Sequence, residues 1–392
     1  MLLRRQSIKK ALFVFTQICY IIAGVLIMPE IDNVAEQSTH NLIIYELIAY
    51  SSSLLCLFFF IIDNSSRVKT APTITIFILF YIFSFISTIL HLQGYSYIIY
   101  VTYPLLPLLI SYLYTCQYGI DKLFINLAFI ALIAVSIQYI RLFSIANYFS
   151  ANRIGVSYFP LFILPIVLLH DSKTIKTISW IITSVIIVSS LKRGGLIALV
   201  LGILAYALVK VFITNDKSHK ARTIIVILIV LLATGMVGYY MIDMIGSNVI
   251  ERISTISDDG GSGRTTIWTY MIDKTFSSTP DGIILGHGYL ATPLVNIQRG
   301  DAAHNDFIEI LYDFGLIGCV LYIAFFIFIL KDIITGIKRK DCDTPQFTLM
   351  YVIYFVLTMV SIVYFYFYIT YINLMLGLVL GNREYRCKHQ VE

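Results

Sequence analysis

Long apolar segments recur along the whole chain, and most of them have about the 20 residues that a helix needs to cross a bilayer. Only 13% of the residues are charged, against about 25% in soluble domains, and the mean hydropathy is +0.83. This composition excludes a soluble globule, a disordered chain, a collagen-like protein and a disulfide scaffold. The sequence predicts an all-α polytopic membrane protein with about twelve transmembrane helices. The apolar runs span residues 11–28, 42–62, 73–92, 95–115, 121–142, 156–170, 174–190, 194–213, 222–245, 308–330, 346–364 and 366–381.

One predicted run and the last apolar block differ from a simple membrane-spanning helix. The run 156–170 is short and holds two prolines. The last block, Thr348–Gly381, fits either two short helices joined at Tyr366–Thr370 or one long broken helix. The first run follows a basic start and lacks a small-residue cleavage site, so we interpret it as an uncleaved helix. The six cysteines show no zinc-like or redox spacing, and we interpret them as packing residues.

The positions of lysine and arginine predict the orientation, because basic residues are enriched in cytoplasmic loops. With the N-terminus inside, most of the 28 basic residues fall in inner segments, and the first outer loop is acidic. An even number of spans then places both termini in the cytoplasm. Basic residues are disfavoured on the outer side, yet several remain there: Arg141, Arg153, Lys192, Arg193, Arg252, Arg264, Lys274 and Arg299.

The longest polar stretch lies on this outer side, between the ninth and tenth predicted spans. The chain is therefore expected to divide into residues 1–245 with nine spans, a large outer loop at 246–307, and residues 308–392 with the last three spans and an inner tail. Turn-rich sequence separates two predicted helices in and after the loop, Thr265–Phe276 and Asp306–Tyr312.

Lys192 and Arg193 begin the eighth span and are followed by Gly194 and Gly195. Two adjacent cations at this boundary are either snorkelling side chains or partners of an anion. We favour the second interpretation, because a charge at membrane depth costs about 2.5–3.5 kcal/mol and usually serves a function. The glycines would let a ligand or another backbone come close.

The run Gly261–Arg264 precedes a predicted helix, with Ser262 as its N-cap. A small-residue turn that leads into a helix presents free N–H groups and suits a phosphate, although an ordinary capped surface helix fits equally well. Arginine in the first helical turn is unfavourable unless an anion lies nearby. Trp268 is either a stacking platform or a packed aromatic residue.

His304 comes just before a predicted helix start, in the run Asp301–Asp306. A histidine there could act as a general base or acid, or it could be solvated while Asn305 or Asp306 caps the helix. A metal site is a weak alternative, because the acidic residues and histidines lack a helical ligand spacing. Its members would be Asp301, His304, Asp306, His287, Asp258 and Asp259.

These motifs together resemble the O-antigen polymerase and ligase superfamily of bacterial polysaccharide assembly. The matching residues lie between about Asn152 and Leu330, while the first half of the chain matches only as a set of apolar helices. Their order, spacing and common outer placement carry the resemblance. The matching runs are Ser190–Gly195, Ser262–Arg264 with Trp268, Pro280 and Gly286–Gly288, and Ala303–Asp306 with Gly315–Gly318.

The resemblance implies a GT-C-like, inverting, metal-independent glycosyltransferase of the bacterial inner membrane, with no cofactor. Its donor and acceptor would be undecaprenyl-diphosphate-linked oligosaccharides. Arg193 and Arg264 would hold the diphosphate, and His304 would take or orient the acceptor proton. A chain-length regulator could be a protein partner, and no nucleic acid is expected. The further substrate-binding candidates are Lys192, Arg153, Asn305, Arg299, Ser262 and Trp268.

The superfamily contains polymerases, which join repeat units, and ligases, which move the finished glycan to lipid A-core. The Ser–Gly–Arg…Trp run and the Ala–His–Asn–Asp–Phe run favour a polymerase, although one fold can host both reactions. A glycan-lipid transporter is the alternative from another class. A twelve-span transporter would more often have two similar halves with an inner link, whereas here the largest loop is external.

Overall fold

The structure is a computed structural model that describes most of the chain. The described residues are 2–26, 35–62, 71–91, 95–145, 155–190, 192–214, 264–295, 302–361, 363–364 and 369–389, with isolated helical positions at 221, 225, 228, 232 and 235. Regular structure in these ranges is entirely helical, which confirms the predicted all-α class.

Most of the described helices overlap predicted apolar runs, whereas nearly all of the predicted run 222–245 lies outside the described residues. We number the helices in chain order over the described residues. They are α1 (Leu2–Leu26), α2 (Ala35–Ile62), α3 (Pro72–Leu90), α4 (Tyr95–Thr102), α5 (Leu105–Tyr118), α6 (Lys122–Ile145), α7 (Phe159–Val167) after a 3₁₀ turn at Gly155–Tyr158, α8 (Lys173–Ser189), α9 (Arg193–Ile213), α10 (Arg264–Phe276), α11 (Pro280–Leu285), α12 (Thr292–Val295), α13 (Asp306–Arg339), α14 (Thr344–Val360) and α15 (Ile369–His389).

Four of the described helices are long and apolar enough to cross a membrane: Pro72–Leu90, Lys122–Ser144, Arg193–Ile213 and Asp306–Arg339. Shorter apolar helices accompany them, and large aliphatic side chains such as Ile137, Leu208 and Val320 face outward. An apolar exterior is what lipid requires, so the architecture fits a polytopic membrane protein. The total of about twelve spans stays a prediction.

Two predicted apolar segments are interrupted, and one long helix is kinked. The run 95–115 separates into α4 and α5 at Pro104, whose ring removes a backbone donor. The last block forms two helices, α14 and α15, which is one of the two predicted alternatives. α13 contains a non-helical residue, Gly315, with φ 64° and ψ −167°.

The kink at Gly315 gives α13 two parts with different surroundings. The short part, residues 306–314, packs against α10, α11 and the end of α14, and the long part continues beside α3 and the rest of α14. The dihedrals of Gly315 lie in a region that is essentially restricted to glycine. A Cβ there would also meet the backbone of Ile284. The short part is therefore a separate element that ends against α10 and α11, two helices within the predicted outer loop.

α9 and α14 pack in opposite directions, and this pairing positions the candidate residues. Gly194, at the start of α9, lies against Val360 at the end of α14. Eight residues later, Gly202 lies against Leu349 and Ile353, which are nearer to the start of α14. The N-terminus of α9 and the C-terminus of α14 thus meet at one end of the bundle.

Candidate active site

Four helix ends meet at this end of the bundle. The N-termini of α9, α10 and α13 come together around the C-terminus of α14, where Met359 and Val360 accept hydrogen bonds from side chains of α10 and the α13 cap. Helix N-termini carry a partial positive charge and unpaired N–H groups, so three of them favour an anion at this place. The C-terminal carbonyls of α14 would oppose an anion, but two of them already accept hydrogen bonds.

Arg264 opens α10 and is fixed by α14. Its Nη1 donates to the carbonyl oxygen of Val360 at 2.9 Å. Burial lowers the pKa of Arg264, and the positive charge of Arg193 lowers it further, while Tyr158 opposes this shift. An arginine does not lose its proton in a protein, so this environment contains two cations that repel each other. An anion between them would relieve that repulsion.

Lys192 and Arg193 lie at the same place, at the beginning of α9. Lys192 occupies the N-cap position with an extended backbone, and its Nζ lies 4.5 Å from the centre of the Tyr158 ring. The close approach permitted by Gly194 and Gly195 is used by protein, because Val360 and Tyr158 fill the space beside them. The two glycines therefore set the packing that brings the cations to α14, and they do not open a cleft for a ligand.

Trp268 ties the start of α13 to α10. It lies one turn after Arg264, and its Nε1 donates to the carbonyl oxygen of Ala303 at 2.7 Å. Its ring packs on a small cluster of buried apolar residues: Ile267, Met271, Ala291, Ala303 and Tyr312. The packed alternative for Trp268 is therefore the observed one, and the indole fixes the residue that precedes His304.

His304 has a left-handed backbone, with φ 54°, and its side chain is partly exposed. A non-glycine residue with this backbone is strained, and such strain concentrates at functional sites. The flanking residues are both buried. Because Trp268 connects Ala303 to the helix of Arg264, and Asn305 bonds to Met359 beside Val360, the histidine lies in the same region as the cations.

Asn305 caps α13, which is the alternative that the sequence left open. Its Oδ1 accepts from the backbone N–H groups of Phe307 at 3.0 Å and Ile308 at 3.4 Å. Its Nδ2 donates to the carbonyl oxygen of Met359 at 3.2 Å. Both ends of the amide are thus engaged within the protein, and the geometry gives Asn305 a role in holding α13 against α14.

Three buried acidic side chains on the short part of α13 were not predicted as a group from the sequence. Asp306, Glu309 and Asp313 are each 0% exposed. Asp306 accepts from Tyr322, Thr358 and the backbone of Val363, and Asp313 accepts from Tyr364, Thr292 and the backbone of Leu290. Their spacing of three and four residues places them on one helical face, and charged residues at that spacing beside an apolar run are a detectable signal.

Several predicted site residues lie outside the described residues: Arg153, Ser262 and Arg299, and with them Asp301, Asp258 and Asp259 of the metal alternative. Asp306, another member of that alternative, uses both oxygens on protein donors. Within the described ranges, no three His, Cys, Asp or Glu side chains are grouped as metal ligands.

A polar cavity of about 700 Å³ lies at the opposite ends of these helices. Its lining includes Lys122, His170, Lys176, Asp343 and Arg386, which belong to predicted inner segments. Arg386 pairs with Asp343, and Lys122 pairs with Asp171 at 2.7 Å. Among the described residues, none of the candidates around the end of α14 lines this cavity.

Comparison with known families identifies part of the chain. Residues 178–323 match the family model Wzy_C, described as O-antigen ligase. The matched segment includes Lys192, Arg193, Arg264 and His304, and it confirms the predicted resemblance over that segment. A search of curated proteins finds no match to the chain.

Proposed function

We propose that this protein, with its O-antigen ligase-type domain, transfers glycans from a lipid diphosphate at the outer face of the bacterial inner membrane. More specifically, we propose a polymerase that joins undecaprenyl-diphosphate-linked repeat units. The matched family consists of enzymes that transfer glycans, as ligases or polymerases. The observation that carries the proposal is the meeting of Arg193, Arg264 and His304 at one end of the bundle, around the last residues of α14.

In the proposed reaction, a hydroxyl oxygen of the acceptor sugar attacks the anomeric carbon of the donor. The bond between that carbon and the diphosphate oxygen breaks, and the diphosphate leaves with the electron pair. The anomeric configuration is inverted because attack and departure occur on opposite faces. His304 takes the proton of the attacking hydroxyl, since an imidazole is an effective base near neutral pH.

Arg193 and Arg264 would stabilise the leaving diphosphate. An arginine presents five N–H donors, of which Arg264 gives one to Val360, and its planar fork suits two phosphate oxygens. Lys192 and the three helix N-termini add positive potential around the same place. Negative charge that develops on a leaving group is stabilised most by donors that are already in position. No metal ion is needed in this scheme.

The test is product formation by purified variants incubated with a lipid-diphosphate-linked repeat unit. We expect Arg193→Ala, Arg264→Ala and His304→Ala each to lower the rate by about 10²–10³-fold, as the loss of one preorganised group does in other enzymes. Arg193→Lys should recover only part of the rate, because lysine lacks the bidentate fork. Arg339→Ala, which removes an exposed cation at the inner end of α13, is the matched control and should react normally. Full activity of Arg264→Ala would refute the diphosphate role.

A ligase is the second candidate, because the matched family is described as O-antigen ligase. The same cations and histidine would serve it, with lipid A-core supplying the acceptor hydroxyl. The same incubation separates the two activities. A ladder of products from the lipid-linked repeat unit alone identifies a polymerase, whereas a product that forms only after lipid A-core is added identifies a ligase.

A further inference from the structure

The peptide group of Ala303 is held on both sides by side chains from two different helices. Its N–H donates to Oε1 of Glu309, one turn into α13. Its carbonyl oxygen accepts from Trp268 Nε1 of α10 at 2.7 Å. Ala303 itself is fully buried. The backbone that leads directly into His304 is therefore fixed in position and in orientation.

His304 needs such support because its backbone is strained. Its φ of 54° lies in the left-handed region, where the Cβ of a non-glycine residue comes too close to the following carbonyl oxygen. On the other side, Asn305 is held by its bonds to the α13 N-terminus and to Met359. His304 is thus a strained, partly exposed residue between two anchored ones, and the anchors determine where its ring is presented.

Glu309 is poorly explained as a residue that only stabilises the fold. Burying a carboxyl group is costly unless its oxygens are satisfied. Its neighbours Asp306 and Asp313 use both oxygens. Oε2 of Glu309 has no hydrogen-bond partner among the described residues, because the nearby hydroxyl of Thr292 donates to Oδ1 of Asp313 at 2.8 Å. The one bond that Glu309 makes with Oε1 goes to the peptide before His304. A buried polar group with incomplete bonding calls for an explanation, and for Glu309 the bond to the peptide before His304 supplies one.

We propose that Glu309 is a positioning residue for glycosyl transfer, which together with Trp268 fixes the Ala303 peptide and so presents His304 to the acceptor hydroxyl. This inference rests on the proposed function of His304. Glu309 acts through the backbone and does not itself touch substrate. The group that matters is the acceptor oxygen at Oε1, so a neutral side chain with the same oxygen should replace it.

The kinetic test compares Glu309→Ala with Glu309→Gln. Misplacing a reacting group by about 1 Å costs on the order of 10²-fold in rate, so we expect Glu309→Ala to lower kcat by about that factor. KM should stay near the wild-type value, because the donor contacts are untouched. Glu309→Gln keeps an acceptor for Ala303 and should keep most of kcat. Trp268→Phe should resemble Glu309→Ala, and the double variant should be only slightly slower than the slower single one, because both act on one peptide group.

Asp343→Asn is the matched control, since Asp343 is also a buried carboxylate that bonds to neighbours but lies at the opposite end of the helices. It should lower the thermal unfolding midpoint and leave kcat unchanged. Wild-type kcat in Glu309→Ala would overturn the proposal. So would a Glu309→Gln enzyme as slow as Glu309→Ala, because that result would assign the effect to the charge.

A second measurement keeps this inference separate from the proposed activity. The rate at which diethyl pyrocarbonate modifies His304, read by peptide mass spectrometry, should rise in Glu309→Ala and stay at the wild-type value in Glu309→Gln. An altered labelling rate in a protein without transferase activity would support the positioning and refute the function. Unaltered labelling in an active protein would refute the positioning alone.

Discussion

At the scale of single residues, the site depends on the last carbonyl groups of one helix. The C-terminal carbonyls of an α-helix have no partner within the helix. In α14 two of them, at Met359 and Val360, accept hydrogen bonds from Asn305 and Arg264. Asn305 and Arg264 thus satisfy two otherwise unpaired carbonyl groups, and the same hydrogen bonds hold these two side chains in the candidate site. Because the acceptor of the Arg264 hydrogen bond is the backbone carbonyl oxygen of Val360, no substitution of that residue would remove it.

The protonation of His287 leads to a prediction of how the stability of the protein depends on pH. Burial lowers the pKa of His287 in the folded protein, and His91 and Lys274 lower it further. Its Nε2 lies 3.0 Å from the hydroxyl oxygen of Ser278. In an unfolded chain a histidine titrates near pH 6.5, so the unfolded state takes up the proton first as the pH falls. The stabilisation is complete above about pH 6.5 and is lost as the pH falls through the lower, folded pKa.

The measurement is the thermal unfolding midpoint in detergent between pH 8 and pH 5. We expect the midpoint of wild-type protein to fall by roughly 1 °C more over this range than that of His287→Gln, because in a protein of this size about 1 kcal/mol shifts the midpoint by only about 1 °C. Glutamine keeps a hydrogen-bonding partner for Ser278 but does not titrate. An equal fall in the unfolding midpoint of both proteins would show that His287 does not contribute to the pH dependence of stability.

At the scale of helices, the site is formed where the N-termini of α9, α10 and α13 meet the C-terminus of α14, and not along the side of any one helix. The short part of α13 carries the buried carboxylates, begins at the Asn305 cap and stops at Gly315. This nine-residue segment lies between α10 and α14, and its N-terminus faces the cations of α9 and α10. The kink at Gly315 separates the long part of α13, which is apolar enough to cross a membrane, from the short part, which packs against α10 and α11.

Replacing Gly315 by alanine tests this division. The dihedrals of Gly315 are essentially available to glycine alone, and a Cβ would meet the backbone of Ile284. We expect Gly315→Ala to lower the free energy of unfolding by about 3 kcal/mol or more, and to reduce transfer because residues 306–314 are displaced. Gly235→Ala is the control, since no atom of the described residues lies within 4 Å of a Cβ there. A stable and active Gly315→Ala protein would contradict the structural role of the kink.

At the scale of the whole molecule, the arrangement requires that the cations and His304 share one side of the membrane. The contacts among α9, α10, α13 and α14 satisfy this condition, because all of them involve the same end of the bundle. The basic segments around Lys338–Lys340 and Arg383–Arg386 lie at the other end, with the Asp343–Arg386 ion pair. From the charge distribution we predict that this end is cytoplasmic.

Cysteine labelling tests this orientation. Cys342 and Cys387 are exposed and lie in predicted inner segments, whereas Thr269 is exposed on α10. In a Thr269→Cys protein, a membrane-impermeant maleimide should label position 269 in spheroplasts, and should label Cys342 and Cys387 only after the membrane is permeabilised. Buried Cys19, Cys56 and Cys116 should stay unreactive and serve as the internal control. Labelling of Cys342 in intact spheroplasts would contradict the orientation.

The sequence by itself determined the helical class, most helix positions and the candidate residues in the described part of the site. Apolar length is a local property, and cations or a histidine beside a helix start are visible without knowing their neighbours. The matched family segment covers the same residues.

Only the tertiary structure decided which groups hold those residues in place. Tyr158 and Val360 each lie about a hundred residues from Arg264 along the chain, yet both contact the site. Glu309 looks in the sequence like one more charge near a helix start, and its bond to Ala303 depends on how α10 and α13 pack. Apolar periodicity predicts that a face is buried but not which partner covers it, because contacts between distant segments leave no local pattern.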